Sequence, residues 1–186
     1  DKNPDIYYEL GVNYWILSEY DKAISEFKQG LDIYNEWDLK PGWVNSYTAL
    51  GEVYIKTNQL KKLKKLIKKT EQDFPEDPDP PSLQAILNLK LGDTVSANRN
   101  IEKYISVLKD YSTSATEADL MNVHAIIYEK ADMPDKAAVY YRKALALEPE
   151  NLGRMRDLAY LLIDKDLNIS EGLELIEKVL ELRPDA

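Results

Sequence analysis

Cysteine is absent from this chain, and histidine occurs once, at His124. The first absence removes disulfides, thiolate zinc sites and thiol nucleophiles together. The second leaves any metal to a carboxylate-rich site and any Ser-His-Asp triad to His124 alone. Positive charge is also scarce: 24 Lys and Arg stand against 33 Asp and Glu, a net charge of −9. Phosphate backbones repel such a surface, which argues against nucleic acid as a partner. Long apolar runs are missing. The longest, Leu158–Ile163, is far too short to span a bilayer, so no membrane insertion is expected. The seven glycines are scattered and form no phosphate-cradling loop. The chain starts at Asp1 with no methionine and no basic-then-apolar leader, and the expectation is a fragment of a longer protein.

What is present is a repeat. A large residue, Leu, a small residue and Tyr recur at fixed offsets in Tyr7-x2-Leu10-Gly11-x2-Tyr14 and in Tyr47-x2-Leu50-Gly51-x2-Tyr54. Weaker copies read Met121-x2-His124-Ala125-x2-Tyr128 and Met155-x2-Leu158-Ala159-x2-Leu162. The small residues Gly11, Gly51, Ala85, Ala125 and Ala159 stand 40, 34, 40 and 34 residues apart. A second track lies twelve residues downstream, at Ala23, Leu63, Ala97, Ala137 and, one residue late, Gly172. Each is followed four residues on by Phe27, Ile67, Ile101, Tyr141 or Ile176. A third track is a terminal proline, at Pro75, Pro149 and Pro184. Offsets of three, four and seven put each set on one helical face, and a small residue in the stripe admits a second helix closely.

These residues resemble the tetratricopeptide repeat family, whose 34-residue unit has small, aromatic and terminal-proline positions in the same order. The resemblance covers nearly the whole chain as one array of five repeats, about 4–43, 44–77, 78–117, 118–151 and 152–186. The third is the most degenerate, with Pro81, Gln84 and Asn88 in the large, Leu and Tyr positions. It implies an all-α fold, a right-handed α-α superhelix of about ten helices. Helical hairpins of this kind bury their apolar faces only by stacking on neighbours. The two long units carry Asn35 and Lys109 where the others have proline. Their second helices should run on about a turn and a half, with extended turns near Glu36–Gly42 and Asp110–Glu117. Ser114-x-x-Glu117 and Asn168-x-x-Glu171 read as capping boxes, and Pro80-Pro81 as a helix start.

In this family the first helix of each repeat lines a concave surface that receives ligand peptides. The corresponding positions are Tyr8, Val12, Trp15 and Ile16, then Thr48, Glu52, Ile55 and Lys56. The third repeat offers Ser82, Ile86, Leu89 and Lys90, the fourth Asn122, Ile126, Glu129 and Lys130, and the fifth Arg156, Tyr160, Ile163 and Asp164. Large apolar residues there mark either a partner surface or tight packing between repeats. Chaperone-binding members hold a terminal carboxylate with Lys, Asn and Arg. The matching positions here are Tyr8, Val12, Ala49, Asp79 and Leu83, so chaperone tails are not expected.

Other constellations read more plainly. The basic run Lys61–Lys69 places Leu63, Leu66 and Ile67 inward and its lysines outward, as a solvated face or a docking site for an acidic partner. His124 takes a stripe position held elsewhere by leucine and reads as packed rather than catalytic. Glu174, Glu177 and Glu181 form a solvated helix face with no matching acid–base cluster. Leu173, Ile176 and Leu180 lie where a sixth unit would cover them, so more chain or self-association through this last helix is expected. The resulting expectation is a non-enzymatic, cofactor-free protein–protein interaction module that binds a peptide or helix. A structural or oligomerising spacer, or a regulatory domain fused to a catalytic one, are the alternatives.

Overall fold

A computed structural model describes residues 3–37, 44–73, 79–112 and 114–183. All regular structure among them is helical. The helices are α1 (Pro4–Ile16), α2 (Tyr20–Trp37), α3 (Val44–Lys56), α4 (Leu60–Asp73) and α5 (Asp79–Lys90), then α6 (Thr94–Tyr111), α7 (Glu117–Lys130), α8 (Pro134–Leu147), α9 (Leu152–Asp164) and α10 (Ile169–Leu182). They form two compact units, 1–100 and 101–186. In the first, α1 packs on α2, α2 on α3 and α3 on α4, while the odd-numbered helices also touch, α1 on α3 and α3 on α5. In the second, α7 packs on α8, α8 on α9 and α9 on α10.

The second sequence track forms the core of both units. Ala23, Leu63, Ala97 and Ala137 are fully buried, and so are Phe27, Ile67 and Ile101 with Tyr141 close behind. Of the first track, Leu50 and Leu158 are buried but Leu10 is 41 % exposed. The two buried leucines lie on helices packed against the one before them, α3 on α2 and α9 on α8. In the degenerate third stripe the two polar substitutions satisfy each other, the Gln84 amide donating to Asn88 Oδ1 at 3.0 Å.

Helix lengths follow the terminal-proline track. α2 and α6 have 18 residues, whereas α4, α8 and α10 have 14. α8 stops two residues before Pro149, while α2 and α6 run through Asn35 and Lys109. Proline removes an N–H and clashes with the preceding turn, so it sets the stop. Pro75, Pro184 and most of the turn expected near Glu36–Gly42 lie outside the described residues. α7 does not start with a Ser114–Glu117 box. Thr116 is the N-cap: its hydroxyl accepts from Asp119 N–H, and the Asp119 carboxylate accepts from Thr116 N–H at 2.8 Å. Glu148 and Arg154 also hold this pair, so tertiary bonds place the helix start two residues later. Asn168 does cap α10, accepting from Glu171 N–H.

A further periodic feature sits in the turns within the hairpins. Ser18, Asn58, Gly92, Asp132 and Asp166 all have positive φ, at 59°, 54°, 80°, 65° and 52°. Each odd-numbered helix ends in the same pair of backbone bonds. Glu19, Gln59, Asp93, Met133 and Leu167 donate back to Tyr14, Tyr54, Asn88, Tyr128 and Leu162 at 2.8–3.0 Å. The left-handed residues themselves donate to Trp15, Ile55, Leu89, Glu129 and Ile163. This is a Schellman closure, which satisfies carbonyls the helix end would leave open. Asn and Asp tolerate that backbone through local side-chain hydrogen bonding, which is why only one of the five need be glycine.

Candidate binding face on the odd-numbered helices

The expected ligand positions divide by burial. In the first unit Tyr8, Val12 and Trp15 are half-buried on α1, Ile16 is 75 % exposed, and Thr48 and Glu52 are half-buried on α3. Ile55, Ile86 and Leu89 are instead sealed, at 6, 2 and 2 % exposure. Direct packing of α3 on α5 closes this seam. A Cβ added at Gly51 of α3 would meet Leu83 of α5 at 3.0 Å, so the small stripe residue is what lets the helices meet. These three apolar residues therefore belong to the inter-repeat packing, and the face they were expected to present is closed.

In the second unit the face is more open. Ile126 on α7 is 38 % exposed, and Tyr160 and Ile163 on α9 are 65 and 37 % exposed, beside the exposed Arg156. Asn122, one turn before Ile126, has a buried side-chain oxygen with no hydrogen-bond partner among the described residues. Glu129 is engaged, accepting from the Tyr141 hydroxyl at 2.7 Å. Burial, and then this carboxylate, push the Tyr141 hydroxyl far above its ordinary range, so it stays protonated and donating. On α10, Leu173 and Leu180 are half exposed. No group of His, Asp or Glu among the described residues is placed to hold a metal ion.

His124 is packed. Its ring stacks on Tyr140 at 4.7 Å and 8°, and Tyr140 stacks on Tyr128 at 5.5 Å. Nδ1 is buried without a hydrogen-bond partner among the described residues, while Nε2 faces Glu102 at 3.8 Å. Burial lowers its pKa from 6.5, outweighing Glu102, and Lys143 adds to the lowering. A folded-state value below the unfolded one means that the unfolded chain binds the proton more readily. Stability is therefore complete above the unfolded value and falls as pH drops toward the folded one. His124→Leu, which restores the stripe residue, is expected to remove this slope between about pH 5 and 7. It should also add about 1 kcal/mol at neutral pH by removing an unsatisfied buried nitrogen. Urea unfolding at a series of pH values reads both effects, and an unchanged slope in the variant would refute the assignment.

Sequence reasoning had no signal for two features. Arg154, 7 % exposed, joins Asp119 and Glu148, yet a lone arginine in an α9 first turn looks like any surface residue. The groove between α2 and α4, described below, depends on which lysines face it, and periodicity alone does not say that.

A family model described as tetratricopeptide repeat matches residues 4–36 and 118–151. No curated protein sequence matches. Among solved structures, yeast Tom70 superposes with a TM-score of 0.58 at 20 % identity, over 97 % of this chain and 36 % of that one. TTC0263, a thermophilic tetratricopeptide repeat protein of Thermus thermophilus, gives 0.55 at 22 % identity over 98 % and 92 %. MamA from Desulfovibrio magneticus RS-1 gives 0.52 at 16 % identity over 100 % and 98 %. At such identities the likeness establishes the fold, an α-α solenoid, and members of this family generally mediate protein–protein interactions. Two of its helical hairpins, at residues 4–36 and 118–151, match the tetratricopeptide repeat model, and the chain as a whole shares the fold of tetratricopeptide repeat proteins.

Proposed function

We propose that the chain is a protein-binding module that receives a peptide or helix on its odd-numbered helices, chiefly α7 and α9. The observation that carries the reading is the exposure of Ile126 on α7, at a position that the family uses for ligands. The exposed Tyr160 and Ile163 on α9 extend the apolar surface. Aromatic and aliphatic anchors of this kind dominate binding energy when a partner covers them.

The test is affinity capture of partners from the native lysate with the unmodified chain, Ile126→Glu and Tyr160→Glu. Both substituted positions are surface-facing, so circular dichroism should remain unchanged. A partner held at this face is expected to lose about tenfold or more in affinity with either charge introduced. Retention of the same partners by both folded variants would refute the reading.

A further inference from the structure

The six lysines of α4 are not equivalent. Leu63, Leu66 and Ile67 turn inward, at 0, 8 and 1 % exposure. Lys62, Lys65 and Lys69 line one wall of a cavity of about 420 Å³, and Lys61, Lys64 and Lys68 do not. The opposite wall is α2, with Lys28, Asp32 and Asn35, and the floor is Tyr47, Leu50 and Tyr54 of α3. Two lysines are held over the aromatic floor, Lys62 at 5.8 Å from the Tyr54 ring centre and Lys69 at 5.7 Å from that of Tyr47. Lys69 is further placed by Asp73 at 2.9 Å, and Lys62 by the Gln59 side chain at 2.5 Å. In a chain of net charge −9, this groove is lined by four lysines and one aspartate.

The geometry points to a second binding site here, separate from the odd-helix face, for an extended acidic peptide carrying one apolar side chain between carboxylates. Lys62, Lys65 and Lys69 stand at i, i+3 and i+7, about 10 Å along the helix axis. That length holds about three residues of extended chain. Side chains of an extended segment alternate in direction, so a central apolar residue turns down when its two neighbours turn up. The aromatic floor, with Leu31 and Leu66 at the foot of the two walls, takes the central residue, and Lys28 and Lys65 on the rims take the flanking carboxylates.

The same features disfavour the other polyanions. Phosphate backbones gain affinity by neutralising many charges at once, and a short groove on a negative protein neutralises few. A membrane surface needs apolar side chains to insert, and all three apolar residues of the basic run are buried. A positive groove on a negative protein selects an acidic partner segment by orientation as well as by attraction.

The experiment is fluorescence anisotropy at low salt with a short fluorescein-labelled peptide of Asp and Glu around one central Leu. Three companions are run beside it: the same peptide with Lys for every acid, a single-stranded oligonucleotide, and phosphatidylserine vesicles. The protein is used unmodified and as two double variants of equal charge change. Lys28→Glu/Lys65→Glu reverses the groove walls, and Lys64→Glu/Lys68→Glu reverses the same helix outside the groove. All four positions are exposed, and Lys28→Gln/Lys65→Gln is a milder second groove variant. Saturable binding of the acidic peptide is expected, absent for the basic one and weakened by salt. The groove reversal should weaken it about tenfold or more and the outside reversal less than about threefold. Ile126→Glu should leave it unchanged, which separates this site from the odd-helix face. Equal loss from both reversals, no saturable binding of the acidic peptide, or tighter binding of oligonucleotide or vesicles would overturn the proposal.

Discussion

Replacing Phe27 by alanine is expected to cost about 3–5 kcal/mol, the range for emptying an aromatic site in a packed core. Phe27 is fully buried, and its ring lies against α1 at Gly11 and tilts over Tyr8 with centres 6.0 Å apart. A Cβ built on Gly11 would stand 2.5 Å from Phe27 Cε1 and 2.6 Å from Cδ1. Gly11→Ala alone therefore gains about 1 kcal/mol of helix propensity but loses about 1–3 kcal/mol to overpacking, because the buried ring has nowhere to move. In the Phe27→Ala background the obstruction is gone and only the propensity gain remains. The sign of Gly11→Ala should reverse, from destabilising to stabilising by about 1 kcal/mol. Urea unfolding of the four proteins closes the cycle. Additivity within about 0.5 kcal/mol would show that the ring and the glycine do not share the space assigned to them.

This contact also shows why the sequence announces the fold so openly. Gly11 and Phe27 belong to two different tracks, and the structure joins them in one helix crossing. A small residue is needed where two helices meet and a large one fills the space beside it, within the hairpin as for Gly11 and Phe27 or between hairpins as for Gly51 and Leu83. A terminal proline leaves an equally readable trace, since its absence at Asn35 and Lys109 accompanies four extra residues of α2 and α6. The turns were readable only in part. Ser, Asn, Gly and Asp all satisfy the same left-handed backbone, so a strict geometric repeat at Ser18, Asn58, Gly92, Asp132 and Asp166 has no single-letter signature.

The candidate sites were less legible, for a different reason. Whether Ile86 or Ile126 meets a ligand depends on how closely the neighbouring odd-numbered helix approaches, which the sequence of one helix does not contain. α3 lies against α5 and covers its Ile86, while Ile126 stays 38 % exposed. The lysines of α4 pose the same problem, because helical periodicity places them outside the core without saying which of them face α2. Tertiary approach decides both cases.

Arg154 gives the other large expected effect. Its guanidinium donates through Nε to Glu148 at 2.9 Å and through Nη2 to Asp119 at 2.8 Å, with the side chain only 8 % exposed. Asp119 caps α7 through Thr116, and Glu148 also accepts from Thr116 and from the Asn151 amide. One cation thus fixes the start of α7, the end of α8 and the start of α9. Removing one partner of a fully buried ion pair costs about 3–5 kcal/mol. Here the carboxylates are 51 and 31 % exposed and regain water, so Arg154→Met is expected to cost about 2 kcal/mol. Arg154→Lys should recover less than half, since an ammonium cannot reach two carboxylates with a planar fork. The acid dependence carries a definite sign. The Thr116 backbone N–H, then Arg154, hold Asp119 below its ordinary range, and Arg154, then Asn151, do the same for Glu148. Depressed folded-state values mean that the stabilisation is complete above the unfolded values of 3.8 and 4.5 and disappears as pH falls through the folded ones. The gap in stability between the unmodified chain and Arg154→Met should therefore be full at neutral pH and shrink in acid. A gap that stays constant down to about pH 3 would mean that Arg154 stabilises this corner by packing alone, without its two carboxylates.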